Sequence, residues 1–418
     1  MTDSNAARWA SPVHRPMSFP EFVVSVAAIM ALNPLAMDMM LPALPDIGAA
    51  FGISNANHLQ WVLSTFLLGF GIGQIVIGPL SDRYGRRPVL IGGMVVYAIA
   101  SALAIVAPSF ETLLLARVLQ GLSTSATRVI ATSVVRDCYV GRRMASVMSL
   151  AQMVFISVPV LAPSFGQLVL LVSRQWHSVF VVLLIYGVIA LLWTALRLPE
   201  TLAEDKRTSL GITDVLGYYK QTITNRQTFG YALACGAINA TMFAYVFSAQ
   251  QIFTEVFHLG RYFPLAFAAI AIGVAVAGFV NSRIVGKLGM RVISHTALSG
   301  FAVASLILVI AARLDMLPLP FYMAIATCTM FCFGLTFANF TALAMEPQGH
   351  IAGTASSLFG SLTVLIGIAI GYLIGQAYDG TMVPLATGFF LCAVGALAIV
   401  CVTERGKMFQ PHNPPIRT

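Results

Sequence analysis

The chain has 418 residues, 58% of them hydrophobic and 10% charged, with a mean hydropathy of +0.84. A soluble domain carries roughly a quarter charged residues, so this composition excludes one and indicates a polytopic membrane protein. A net charge of +8 and a pI near 9.3 could point to nucleic acid. The basic residues are spread among short connectors, however, and not gathered on one domain face, which excludes that partner.

In chain order, Met1–Pro20 has no apolar core and reads as a cytoplasmic tail, without the cleavage site of a signal peptide. Apolar spans follow at 21–43, 59–80, 88–107, 110–134, 143–171, 178–197, 228–253, 263–284, 291–312, 318–344, 351–376 and 383–403. Residues 404–418 form a second tail. The expected fold is therefore all-α and membrane-embedded, with twelve transmembrane helices in two six-helix bundles, 21–197 and 227–403.

The connector 198–226 is the one stretch of soluble-like composition, with Glu200, Glu204, Asp205, Lys206, Arg207 and Asp214, and reads as a cytoplasmic linker between the bundles. A short surface helix is expected around Asp214–Lys220. Of 24 Lys and Arg, only Arg174, Arg261 and Arg313 fall on the other side, and only Arg117 and Arg128 fall within a span. This asymmetry places both termini in the cytoplasm.

The most polar turn between spans is Gly78-Pro79-Leu80-Ser81-Asp82-Arg83-Tyr84-Gly85-Arg86-Arg87, a tight hinge at the membrane surface. A shift of 204 residues lays Gly69 on Gly273, Arg83 on Lys287, Gly85 on Gly289 and Arg87 on Arg291, but Asp82 on Gly286. Parallel repeats of this kind mark one class of secondary transporter. Gly78, Asp82, Arg83, Gly85, Arg86 and Arg87 are the expected cytoplasmic gate, with Asp82 able to latch the two halves.

Gly78–Arg87 resembles the signature between the second and third helices of the major facilitator superfamily. Arg117-Val118-Leu119-Gln120-Gly121 resembles the fourth-helix signature of its drug:proton antiporters. Asp38–Pro45, Arg136-Asp137 and Pro159-Val160-Leu161-Ala162-Pro163 are similar to the Bcr/CflA-like multidrug exporters, with Ala162-Pro163 where those have Gly-Pro. The second half resembles the family in span count, Ser248-Ala249-Gln250-Gln251 and Ala352–Ser356. The resemblance implies a proton-coupled exporter in the cell inner membrane, acting as a monomer on small molecules with no cofactor beyond the coupling proton.

Asp38 alone among sixteen acidic residues falls well inside a span. A carboxyl away from water can serve as a proton carrier; the alternative is a carboxylate that pairs with arginine to hold helices together. Pro34, one turn earlier, removes a hydrogen bond to Met30 and allows a bend. Arg117 and Arg128 lie eleven residues apart, nearly on one face with Gly121 and Thr124, and that face must meet protein or water. The resemblance links Arg117 to proton transfer. Arg128 departs from the family and either contacts substrate, favouring anions, or serves structure alone.

Pro159, Pro163 and Gly166 are expected to bend the fifth span. Asn239, Tyr245, Gln250, Thr336 and Asn339 are polar groups within spans that either meet substrate or bond neighbouring helices. Met37, Phe243 and Phe337 supply an adaptable apolar wall or plain packing. Gly367, Gly371 and Gly375 have the spacing of close helix packing. Gly69-Phe70-Gly71-Ile72-Gly73 lacks the strand and lysine of a nucleotide loop, and seven histidines and six cysteines show no ligand or disulfide spacing, so no metal site and no enzyme are expected. The alternative to an exporter is a proton symporter or facilitator of an anionic metabolite.

Overall fold

The computed structural model describes residues 17–139, 141–204, 207 and 212–410. The remaining tail and connector positions, including Asp205 and Lys206, lie outside the described residues. Among the described residues every regular element is helical. In order they are α1 (Phe19–Asp38), α2 (Leu44–Phe51), α3 (Trp61–Tyr84), α4 (Arg86–Ile105), α5 (Phe110–Cys138), α6 (Gly141–Ser173) and α7 (His177–Arg197). These are followed by α8 (Ile212–Thr224), α9 (Arg226–Gln251), α10 (Phe263–Leu288), α11 (Met290–Arg313), α12 (Leu319–Met345), α13 (Ala352–Gln376) and α14 (Val383–Thr403).

The boundaries follow local chemistry. Ser109 accepts the Thr112 amide at 3.2 Å to start α5, and Asn225 accepts the Thr228 amide at 3.0 Å to start α9. Prolines occupy the first turns of α1, α10, α12 and α14, where a missing N–H costs nothing. Gly85 (φ 99°) and Gly289 (φ 81°) end α3 and α10 in a backbone region that only glycine enters freely. Helix α8 occupies the place expected for a short helix in the connector.

Ten helical segments of the described residues are long and apolar enough to cross a membrane. The other two expected spans fall short for different reasons: α5 is laden with Glu111, Arg117, Arg128, Arg136 and Asp137, and the qualifying apolar stretch of α6 is the shorter Ser157–Ser173. Span 21–43 also differs from observation. Helix α1 ends at Asp38, because Pro42 cannot donate to the Asp38 carbonyl; a 3-10 turn, Leu41–Ala43, carries the chain into α2.

Packing is tightest where glycines let backbones touch. A side chain on Gly69 would collide with the Val118 carbonyl of α5, and one on Gly121 with the Phe66 carbonyl of α3. Gly273 of α10 approaches the Thr327 carbonyl of α12 in the same way. The glycines at 69–73 and at 367 and 371 are thus packing residues; Gly371 faces the Ala240 carbonyl of α9. Among the described residues, α3 packs on α13 and α6 on α10, joining the first half of the chain to the second.

Candidate functional site

Asp38 is the last residue of α1 and, although outside the middle of a helix, is only 4% exposed. The chain beyond it stays buried through Leu44, which keeps water from the carboxylate. Helix α6 closes this corner: Gly166 lies against the Met39 carbonyl, closer than any side chain would allow. Gly166 is therefore a point of close approach, and Pro159 and Pro163 sit inside an α6 assigned as one continuous helix. No hydrogen bond or ion pair reaches the Asp38 carboxylate among the described residues.

Two residues before Asp38, the Ala36 carbonyl accepts from Arg117 Nη1 at 3.0 Å. Arg117 is fully buried; its Nε donates to the Val62 carbonyl at 3.0 Å and its Nη1 also to Gln120 Oε1 at 2.8 Å. Gln120 in turn donates to Ser101 Oγ at 2.8 Å, so one guanidinium ties α1, α3 and α5 together and reaches α4. The Phe66 ring lies 4.4 Å from the guanidinium, and Nη2 has no hydrogen-bond partner. Over its first two turns the expected face meets protein: Gly121 meets α3, and Thr124 accepts from Asn33 of α1 at 3.3 Å. Arg128, further along, is half-buried.

The polar candidates of the second half divide. Asn339 donates to Asn281 Oδ1 and to the Leu335 carbonyl, both at 2.7 Å, and so joins α12 to α10. Asn239 reaches the Thr363 carbonyl at 3.4 Å. Tyr245 is stacked on Phe267 with its hydroxyl unpartnered, and the Thr336 hydroxyl is likewise unpartnered. Buried unpaired hydroxyls are costly unless something else meets them, which keeps these two as hydrogen-bonding candidates. Gln250 approaches Thr254 at 3.5 Å and, with Asp46 and Arg261, lines an open cleft of about 290 Å³. Met37 and Phe243 are buried and Phe337 half-buried; Phe243 stacks on Phe247 and Phe337 on Phe333.

The turn after α3 is a charge cluster. Arg86 pairs with Asp82 and, through Nε at 3.1 Å, with Asp137 at the end of α5. Glu200, just after α7, accepts the backbone amides of Arg86 at 2.9 Å and Arg87 at 3.2 Å, capping α4. Arg87 donates to the Ala195 carbonyl, and Arg83 lies over the Tyr84 ring. Asp82 spends its charge on Arg86 within the first half. Contact with the second half falls instead to Gly78, which faces the Ser357 hydroxyl of α13. Glu200 stands out in sequence only as part of the polar connector; the α4 amides it caps lie 114 and 113 residues earlier, a distance that leaves no local signal.

The family model described as Major Facilitator Superfamily matches residues 26–372. The chain belongs to the major facilitator superfamily. Among superfamily members, it is 33% identical to the uncharacterized MFS-type transporter YdgK of Bacillus subtilis over 92% of this chain and 95% of that one. It is 26% identical to a bicyclomycin resistance protein homolog of Haemophilus influenzae (92% and 96% covered) and 30% identical to a chloramphenicol resistance protein of Pseudomonas aeruginosa (90% and 91%). In fold, the superfamily architecture matches a partially occluded inward open xylose transporter XylE from E. coli, with TM-score 0.71 at 12% identity, covering 91% of this chain and 97% of that chain.

Proposed function

We propose that this protein is a proton-coupled exporter of drugs or similar amphiphilic small molecules, working by alternating access. The observation that carries this reading is Asp38, a buried carboxyl with no fixed counter-charge among the described residues, two positions beyond the carbonyl that holds Arg117. Its charge is left for a proton or a substrate to meet, so the two compete at one place. Resistance proteins among the relatives support the cargo class.

In this reading twelve helices cross the bilayer: the ten apolar ones, together with α6 and α5, whose Arg117 and Thr124 bond to neighbouring helices. They form two six-helix units, 21–197 and 227–403, joined by a cytoplasmic linker at 198–226. Both termini are cytoplasmic, the membrane is the cell inner membrane, and the unit is a monomer without cofactor. Asp38 takes a proton from outside, carries it across as the units rock, and releases it when cargo binds. Arg117 holds α1 and α3 in register around the site; Tyr245, Thr336 and Asn239 are the proposed hydrogen-bonding groups for cargo, and Met37 and Phe243 the proposed apolar contacts.

Proteoliposomes with an imposed pH gradient test the assignment. Asp38→Asn is expected to abolish gradient-driven efflux of a neutral amphiphile while the protein stays folded and monodisperse; wild-type flux would remove Asp38 from the mechanism. A second reading, symport of an anionic metabolite, is favoured by the positive charge that Arg128, half-buried, adds within α5. The same vesicles decide it: gradient-driven uptake of carboxylates without efflux of amphiphiles would establish it.

A further inference from the structure

Where α3 begins and α13 ends, amide side chains from both halves of the chain interlock. Gln60 Nε2 donates to Gln251 Oε1 at 2.8 Å and to the Gly375 carbonyl at 3.1 Å. Gln251 Nε2 returns a bond to Asn57 Oδ1 at 2.8 Å. Asn57 Nδ2 donates to the carbonyls of Gln376 at 3.2 Å and Tyr378 at 3.0 Å, while Gln376 Nε2 donates to the Asn57 carbonyl at 2.7 Å. Gln60 is 1% exposed and Gln251 4%. Asn57 and Gln376 are half-buried, so the ring is reciprocal and buried at its Gln60–Gln251 core.

The site is built to hold these amides. A side chain on Gly375 would strike Gln60 Oε1, so this glycine is the space into which the glutamine fits. One residue on, Trp61 Nε1 donates to the Tyr372 hydroxyl at 3.0 Å. The other end of the α3–α13 seam is different in kind: Ser361 meets the Gly71 carbonyl at 2.7 Å, and Gly78 faces Ser357. Small residues there allow sliding contact, whereas the amide ring must break before its end can part.

We infer that Asn57, Gln60 and Gln251, seated on Gly375, form the outer gate of the transporter, a neutral amide clasp that sets how often the closed outer face opens. The inference rests on the alternating-access reading and on the topology that puts this end outside. The helices are rigid, so separation at this end requires the bonds of the ring to be lost together. Gate strength, and with it the resting population, is written in Gln60 and its socket.

The test is labelling of Ser64→Cys, one turn below Gln60 on the same face of α3 and 9% exposed, by a membrane-impermeant maleimide. Rates are compared with the protein lacking the added cysteine, without substrate or gradient, in vesicles of each orientation. Gln60→Glu removes a donor to two acceptors; Gly375→Ala opens the same clasp by filling its socket and leaves every amide in place. Each is expected to speed labelling from the outer face about tenfold. Unchanged rates in both folded variants, or faster labelling from the inner face alone, would overturn the gate. Labelling needs no flux, so a failure of the export reading leaves this result readable.

Discussion

Two turns 204 residues apart share a glycine at positive φ, Gly85 and Gly289, with an arginine two residues later, yet they handle charge differently. In the first, Arg86 is held between Asp82 and Asp137. At the same offset the second turn has Met290 and Gly286, so both Arg86 and Asp82 lack counterparts there, although Arg291 pairs with Glu346, just after α12, at 3.8 Å. A trailing glutamate remains in both: Glu200 after α7 and Glu404 after α14. Glu200 caps backbone amides, whereas Glu404 accepts Arg291 Nε at 2.8 Å and the Tyr231 hydroxyl at 2.6 Å. The pinning glutamate is thus the common device; the Arg86 cluster is an addition of the half whose turn adjoins α13.

Removing the devices one at a time ranks them. Glu404→Ala leaves Arg291, 7% exposed, without its nearest carboxylate, and is expected to cost about 3 kcal/mol, read as a lowered thermal unfolding midpoint in detergent. Glu200→Gln keeps shape but loses charge at the start of α4, and about 1 kcal/mol is expected, with faster hydrogen exchange confined to the first turn of that helix. The smallest effect belongs to Asp82→Asn. Its side chain is 30% exposed and Asp137 still pairs with Arg86, so a loss below about 1 kcal/mol is expected in the same unfolding measurement. Equal losses from Glu404→Ala and Glu200→Gln would erase the distinction between the two turns.

Much of the fold was legible in sequence because hydrocarbon imposes it. Helix order, the turn glycines and the 204-residue repeat all follow from local runs and single residues. The stop of α1 at Asp38 was also legible in principle, since Pro42 lies four residues on; the apolar run through Leu44 masked it. Asp38 and Arg117 stood out because charge within a span is rare. What the sequence does not display is partnership. Arg117 binds backbone carbonyls, which leave no side-chain signature, and Gln60 meets Gln251 across 191 positions and Gly375 across 315. Asn339 looked like a cavity residue because an amide in a span reads the same whether it meets cargo or Asn281.

Arg117 also bears on how the chain is made. Its acceptors outside α5 lie on α1 and α3, both synthesised before α5 leaves the ribosome. A helix carrying Arg117 and Arg128 partitions poorly into lipid by itself. With α5 as one of the twelve proposed spans, the carbonyls of Ala36 and Val62 are expected to serve during biogenesis as a waiting berth, on which α5 docks as it enters the bilayer. The order of helices in the gene is, in this respect, an assembly instruction.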